Sequence, residues 1–287
     1  ETMATTVSGM DISSSLSPAK PKARGASYWN KVDQVPLLCR LPVVTVAMTA
    51  ACIGVYYGRD DHGWSYGPSN EGEWWSSLAA MISHVDQEHL WNNVVLLVVG
   101  GVFLELTEGI PHVLCAVYAA GVLSAALHGV CDPESRLRGT SGAIYGIIFS
   151  QLALLALNWR EMPARLLRLL VLLVLIAFDV AIYWFWRSES ISYEAHLFGA
   201  ATGVCIALVL GRNVVLEKYE ILLTWLGVLG YAALLTAAYV GGQYKAASLA
   251  AVVLLVLAVA AALITRLTLR QRRDSPGPQT ENTFVVA

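Results

Sequence analysis

Pro111-His-Val-Leu-Cys-Ala-Val-Tyr-Ala-Ala-Gly-Val-Leu-Ser-Ala-Ala-Leu-His-Gly-Val130 contains no Asp, Glu, Lys or Arg. At about 1.5 Å of rise per residue, a helix of this length matches the roughly 30 Å hydrocarbon core of a bilayer. Working outward, runs of the same character fall at 37–57, 78–106, 140–158, 166–186, 193–211, 221–240 and 246–265. The 287 residues are 56% hydrophobic and only 14% charged, which excludes an ordinary soluble enzyme. In hydrocarbon every backbone polar group must be paired internally, so runs of this length between short polar breaks predict a helical bundle rather than a barrel. The fold class expected is therefore an all-α polytopic membrane protein with eight spans, in contact with a lipid bilayer.

Charge sets an orientation. With both tails cytosolic, fourteen of the 19 Lys and Arg fall in inner segments: five between Lys20 and Arg40, then Arg160, Arg165 and Arg168, Arg212 and Lys218, and four from Arg266 to Arg273. That bias satisfies the positive-inside rule and requires an even number of spans. The Ser-, Ala-, Lys- and Pro-rich residues 1–36 read as a disordered cytosolic tail, and 266–287 as a second cytosolic tail. The outer loop 58–77 carries Trp64, Trp74 and Trp75, as a segment lying in the lipid interface would. A net charge of -2, with the nine Trp near the ends of apolar runs, excludes nucleic-acid binding. Cys39, Cys52, Cys115, Cys131 and Cys205 have neither metal nor disulfide spacing, and most of them read as packing residues.

Ionisable or hydrogen-bonding groups inside spans are costly and need a partner or a task. Near the outer end of the second run, His89 and Asn93 lie about 40° apart on one helix face, while His84 lies about 140° round from His89 and faces elsewhere. The fourth run opens Gly139-Thr-Ser141-Gly142-Ala-Ile-Tyr145-Gly146, with Ser141 and Tyr145 on one face and a small-residue strip for close packing. In the sixth, His196, Gly199 and Gly203 share a stripe. Runs two, four and six all begin outside, so these groups meet at the outer leaflet if runs four and six pack together. A serine needs a base to become a nucleophile, and acyl transfer needs donors aimed at the oxyanion. His196 supplies the base, with Tyr145 stacked against its ring. His89, Asn93 and the Ser141 backbone N–H supply the donors. Glu105 reads as a capping or interhelical bond, and Asp179 as a structurally paired carboxylate.

With His84-x4-His89-x3-Asn93, Gly139-x-Ser141-Gly142 followed by Tyr145, and Ala195-His196-x2-Gly199 in this order, the chain resembles the rhomboid intramembrane serine proteases. Ile191-Ser-Tyr-Glu-Ala-His-Leu197 and Lys218-Tyr-Glu220 before a seventh span resemble the secretase-type branch. The resemblance implies a six-helix core, 37–212, two further C-terminal transmembrane helices within 213–265, and transmembrane proteins as substrates. It implies Ser141 as nucleophile, His196 as base and acid, and His89 and Asn93 in the oxyanion hole. Tyr145, His84, Gly139, Gly142 and Gly199 support them, and no metal or cofactor takes part. The extra spans being C-terminal points to the secretory pathway or plasma membrane. Nothing in the sequence sets the oligomeric state.

The chain departs from the family pattern at Trp75-Ser76, where Trp-Arg is usual, and the run 246–265 has no assigned role. A rhomboid-like pseudoprotease that binds and routes membrane clients is the alternative. Its usual marks, a lost Ser or His or a Pro before the Ser, are missing here, since Thr140 precedes Ser141 and His196 is intact. Zinc proteolysis is excluded by the spacing of five between His84 and His89, which spoils the one-face geometry a helical zinc pair needs. Aspartyl proteolysis is excluded by Asp179 being the lone aspartate within a span, and a transporter by the outward polar cluster and lack of a repeat.

Overall fold

The computed structural model describes residues 32–33, 36–58, 64–67, 73, 75–185, 192–213 and 218–274. Its helices are α1 (Val43–Gly58), α2 (Ser76–Ile82), α3 (Gln87–Glu108), α4 (Ile110–Cys131), α5 (Ser141–Leu157), α6 (Arg165–Phe185), α7 (Tyr193–Leu210), α8 (Lys218–Val240) and α9 (Tyr244–Asp274). The chain is an all-α, multi-pass membrane protein with no strand among the described residues. Six of these helices are long and apolar enough to cross a bilayer, while α5, of 17 residues, is shorter. The long helices follow the eight apolar runs with one exception. The expected tail 1–36 lies almost wholly outside the described residues, as do Trp74 and the side chain of Asp179. The last run continues past Thr265 as helix to Asp274, so the first part of the C-terminal tail is helical.

The exception is the run 78–106, which is two helices rather than one. α2 ends at Ser83 in extended backbone, and α3 begins afresh behind Asp86, whose carboxylate accepts the His89 N–H at 2.7 Å. An Asp at the N-cap satisfies an orphan donor and favours the positive helix end, so it starts a helix where the apolar pattern alone reads continuity. At the other end of α3, Gly109 adopts φ +89°, a left-handed conformation that ends the helix, and Pro111 starts α4 at once.

α4 is the axis of the bundle: 72% of its most apolar window is buried, against 11% for the span containing α1. α5, α7, α8 and α9 pack around it, and the most extensive contact in the molecule is between α5 and α7. That contact brings backbone to backbone. A Cβ on Gly199 would lie 2.1 Å from the Gly142 carbonyl oxygen, and one on Gly203 would lie 2.0 Å from that of Gly146. Small residues let membrane helices approach this closely, where dispersion replaces the hydrophobic effect as the driving force. Ser150 adds a hydrogen bond to the Gly203 carbonyl at 2.9 Å.

Glu105, fully buried on α3, makes the interhelical bond its sequence predicts. Its carboxylate accepts Val44 N–H at 2.9 Å, Thr45 N–H at 3.0 Å and the Thr45 hydroxyl at 2.8 Å, capping the N-terminus of α1 from another helix. Glu105→Ala leaves two backbone donors unpaired in a dry site and should cost about 2–4 kcal/mol at about 1–2 kcal/mol per orphan. Thermal unfolding in detergent measures this, with a smaller loss expected for Glu105→Gln, which keeps one acceptor.

Among the described residues all five cysteines are free. Cys52 is a buried packing residue whose Sγ lies 3.2 Å from Thr140 Oγ1. The described part of the first loop docks on protein: Ser65, Tyr66, Ser76 and Ser77 are all buried, and Trp75 packs edge-on against Trp64. Ser76, where an arginine was the family expectation, donates its hydroxyl to the Glu73 carbonyl at 2.8 Å and so ties down the start of α2.

Candidate active site

Ser141 is the first residue of α5, and the helix starts there because the preceding residues are pinned from several sides. Gly139 N–H donates to the Ala80 carbonyl at 2.9 Å, and the Thr140 hydroxyl donates to the Met81 carbonyl at 2.6 Å. Gly139 has φ +120°, and a Cβ there would lie 2.7 Å from His89 Cε1 and 3.6 Å from Asn93 Nδ2. Only glycine fits both the backbone conformation and that gap. His89 and Asn93 therefore flank the residue two before Ser141, on the shared α3 face their spacing predicts.

His196 sits in the second turn of α7, half-buried, with the Tyr145 ring stacked on its imidazole at 4.2 Å between centroids and 11° between planes. Tyr145 is one helical turn after Ser141 on the same face. Gly142 meets Gly199 backbone to backbone, and a Cβ on Gly142 would lie 3.6 Å from the Ala195 carbonyl. Ser141 is thus at the level of His196 along the α5–α7 contact. His89 and Asn93, set against Gly139, close the group from the α3 side. The sequence-predicted residues Ser141, His196, His89, Asn93, Tyr145, Gly139, Gly142 and Gly199 come together from three helices.

His84 requires a correction. Helical phase turned it away from His89, but the break at Ser83–Asp86 removes that phase relation, and the two rings pack edge to face at 5.2 Å. It is fully buried in the turn before α3, outside the spanning segment. Burial, reinforced by His89, lowers its imidazole pKa to about 4, so it is neutral at neutral pH. Asp86, an N-cap residue type standing just before the apolar helix with Glu88 in its first turn, was the signal in the sequence for this break.

The first N–H groups of α5, Ser141 among them, precede the first intrahelical acceptor pairing and carry the positive end of the helix dipole. Asn93 Nδ2 is buried with no hydrogen-bond partner among the described residues. A buried donor held open beside a helix N-terminus suits a developing negative oxygen. Next to His196, between α5, α6 and α7, is an apolar cavity of about 650 Å³ lined by Tyr145, Phe149, Ile176, Val180 and Leu197. No cluster of His, Cys, Asp or Glu among the described residues has the arrangement of a metal site.

Comparison with known proteins places this bundle in a family. Residues 71–213 match the rhomboid domain, and the chain belongs to the rhomboid family. It is 35% identical over 177 residues to rhomboid-related protein 1 of Caenorhabditis elegans, covering 58% of this chain and 49% of that protein. To human rhomboid-related protein 3 it is 31% identical over 177 residues, covering 58% and 44%. The chain spans about half the length of these relatives. Its relatives include both the rhomboid protease GluP of Bacillus subtilis, 28% identical over 49% of this chain and 27% of that one, and inactive rhomboid-related protein 2 of C. elegans, 25% identical over 54% and 46%. The family thus holds proteases and inactive members alike.

Proposed function

We propose that this chain is an intramembrane serine endopeptidase of the secretase-type rhomboid branch, cutting transmembrane segments of other membrane proteins near the outer leaflet. The observation that carries the reading is the Tyr145–His196 stack beside the N-terminus of α5, where Ser141 begins the helix. His196 takes the Ser141 proton as Oγ attacks the scissile carbonyl. The Ser141 N–H, His89 and Asn93 Nδ2 hold the oxyanion. Collapse of the intermediate breaks the C–N bond, and His196 returns the proton to the leaving amine. Water from the outer side then hydrolyses the acyl-enzyme by the same route. The positive-inside distribution supports cytosolic termini, and the C-terminal extra helices support a secretory-pathway or plasma-membrane setting.

A substrate helix has its carbonyls paired and must unwind before one reaches Ser141. Substrates weakened near their outer end should therefore be preferred. In detergent, a transmembrane peptide with two Gly replacing Ala at that end is expected to be cut up to about 30-fold faster than its parent, at about 1 kcal/mol per Gly. Equal rates overturn the unwinding step, and no cleavage of any weakened peptide by folded protein overturns the protease reading in favour of client binding without cleavage.

A further inference from the structure

The last two helices lie outside the six-helix core, yet their connecting turn reaches the active-site loop. Gln243, buried between α8 and α9, accepts a hydrogen bond on Oε1 from the hydroxyl of Tyr66, itself fully buried in the first loop. The pair rests on the α4 backbone at Gly129, where a Cβ would lie 3.3 Å from Tyr66 Cε1 and 3.5 Å from Gln243 Cδ. Tyr66 in turn exchanges two backbone hydrogen bonds with Leu137, at 2.9 and 2.8 Å. Leu137 is four residues before Ser141 and two before Gly139, the residue clamped against His89. A continuous path of buried bonds therefore runs from the α8–α9 turn to the nucleophile.

We infer that the α8–α9 turn is a strut for the loop that presents Ser141, with Gln243 and Tyr66 as positioning residues. The catalytic part of this inference rests on the protease reading above. Neither side chain touches the reacting group. Removing either side chain takes a hydrogen bond out of a buried site and loosens the Tyr66–Leu137 bridge behind Gly139. Misplacing a nucleophile lowers the rate of the chemical step while leaving substrate binding intact, so the effect falls on kcat. α9, whose run 246–265 had no assigned role, acquires one in this way: with α8 it carries the far end of the strut and needs no contact with substrate.

The test uses the full chain in detergent with Tyr66→Phe, Gln243→Leu, the double variant, and Gln243→Glu, which keeps an acceptor and the side-chain volume. Two readouts are taken: amide hydrogen exchange at Leu137 and Gly139, which needs no catalysis, and kcat and KM on a helix-weakened peptide. Both single variants are expected to exchange about tenfold faster at Leu137 and to lose about tenfold in kcat at constant KM. The double variant should be no worse than either single, and Gln243→Glu should stay near wild type. Unchanged exchange at Leu137, additive losses in the double variant, or a change confined to KM overturns the strut. A wild type that cuts nothing while Gln243→Leu still speeds exchange refutes the protease reading and upholds the strut.

Discussion

Ser141→Ala is expected to abolish cleavage of a transmembrane peptide, with His196→Ala equally silent. Where nucleophile and base act as one unit, losing either costs on the order of 10⁴- to 10⁶-fold, and losing both costs little more. The double variant is therefore as inactive as each single one. Ser141 is only half-buried at the first position of α5, so its replacement by Ala should leave thermal unfolding within about 0.5 kcal/mol of wild type. That pairing of lost rate and retained stability separates a chemical role from a packing one. Cleavage by Ser141→Ala at the wild-type rate would remove the dyad from the mechanism. His196→Ala also removes the partner of the Tyr145 ring, so some loss of stability is expected from it and should be measured alongside.

Gly199→Leu is expected to prevent assembly of the core. Even Gly199→Ala would place a Cβ 2.1 Å from the Gly142 carbonyl oxygen and 3.0 Å from its Cα. Those are backbone atoms of the helix that carries Ser141, so no side chain can swing aside, and α5 must shift bodily from α7. Overpacking of this kind costs several kcal/mol, and here about 4 kcal/mol or more is expected for Leu. Thermal unfolding in detergent is the measurement, with Gly54→Ala as the comparison. A Cβ on Gly54, within α1, meets nothing within 4 Å, so that variant should gain up to about 1 kcal/mol from helix propensity alone. If Gly199→Ala unfolds with wild-type stability, the close α5–α7 approach does not hold the core, and the Tyr145–His196 stack loses its support.

Much of the site was legible because its residues lie on regular helices. On such a helix, spacing determines the face, so Ser141 with Tyr145 and His89 with Asn93 were paired before any contact was known. The glycine stripes marked which faces approach, since membrane helices meet through small residues. His84 was misread for a local reason: the apolar period runs across Ser83–Asp86, and a single capping carboxylate at Asp86 ended it. Helix phase carries no information across a break that it does not register.

The sequence by itself determined that this chain is a bundle of apolar helices, where the helices lie in all but one of its apolar runs, and which polar groups are costly in hydrocarbon. Each follows from the solvent, because a bilayer tolerates only internally paired backbone and penalises every stray charge. Only the tertiary structure decided what those groups meet. Glu105 caps α1 across 60 residues, and Tyr66 bonds Gln243 across 177. Such partners share no periodicity. They are brought together by how helices cross and where loops return, and that is decided by the packing of the whole bundle.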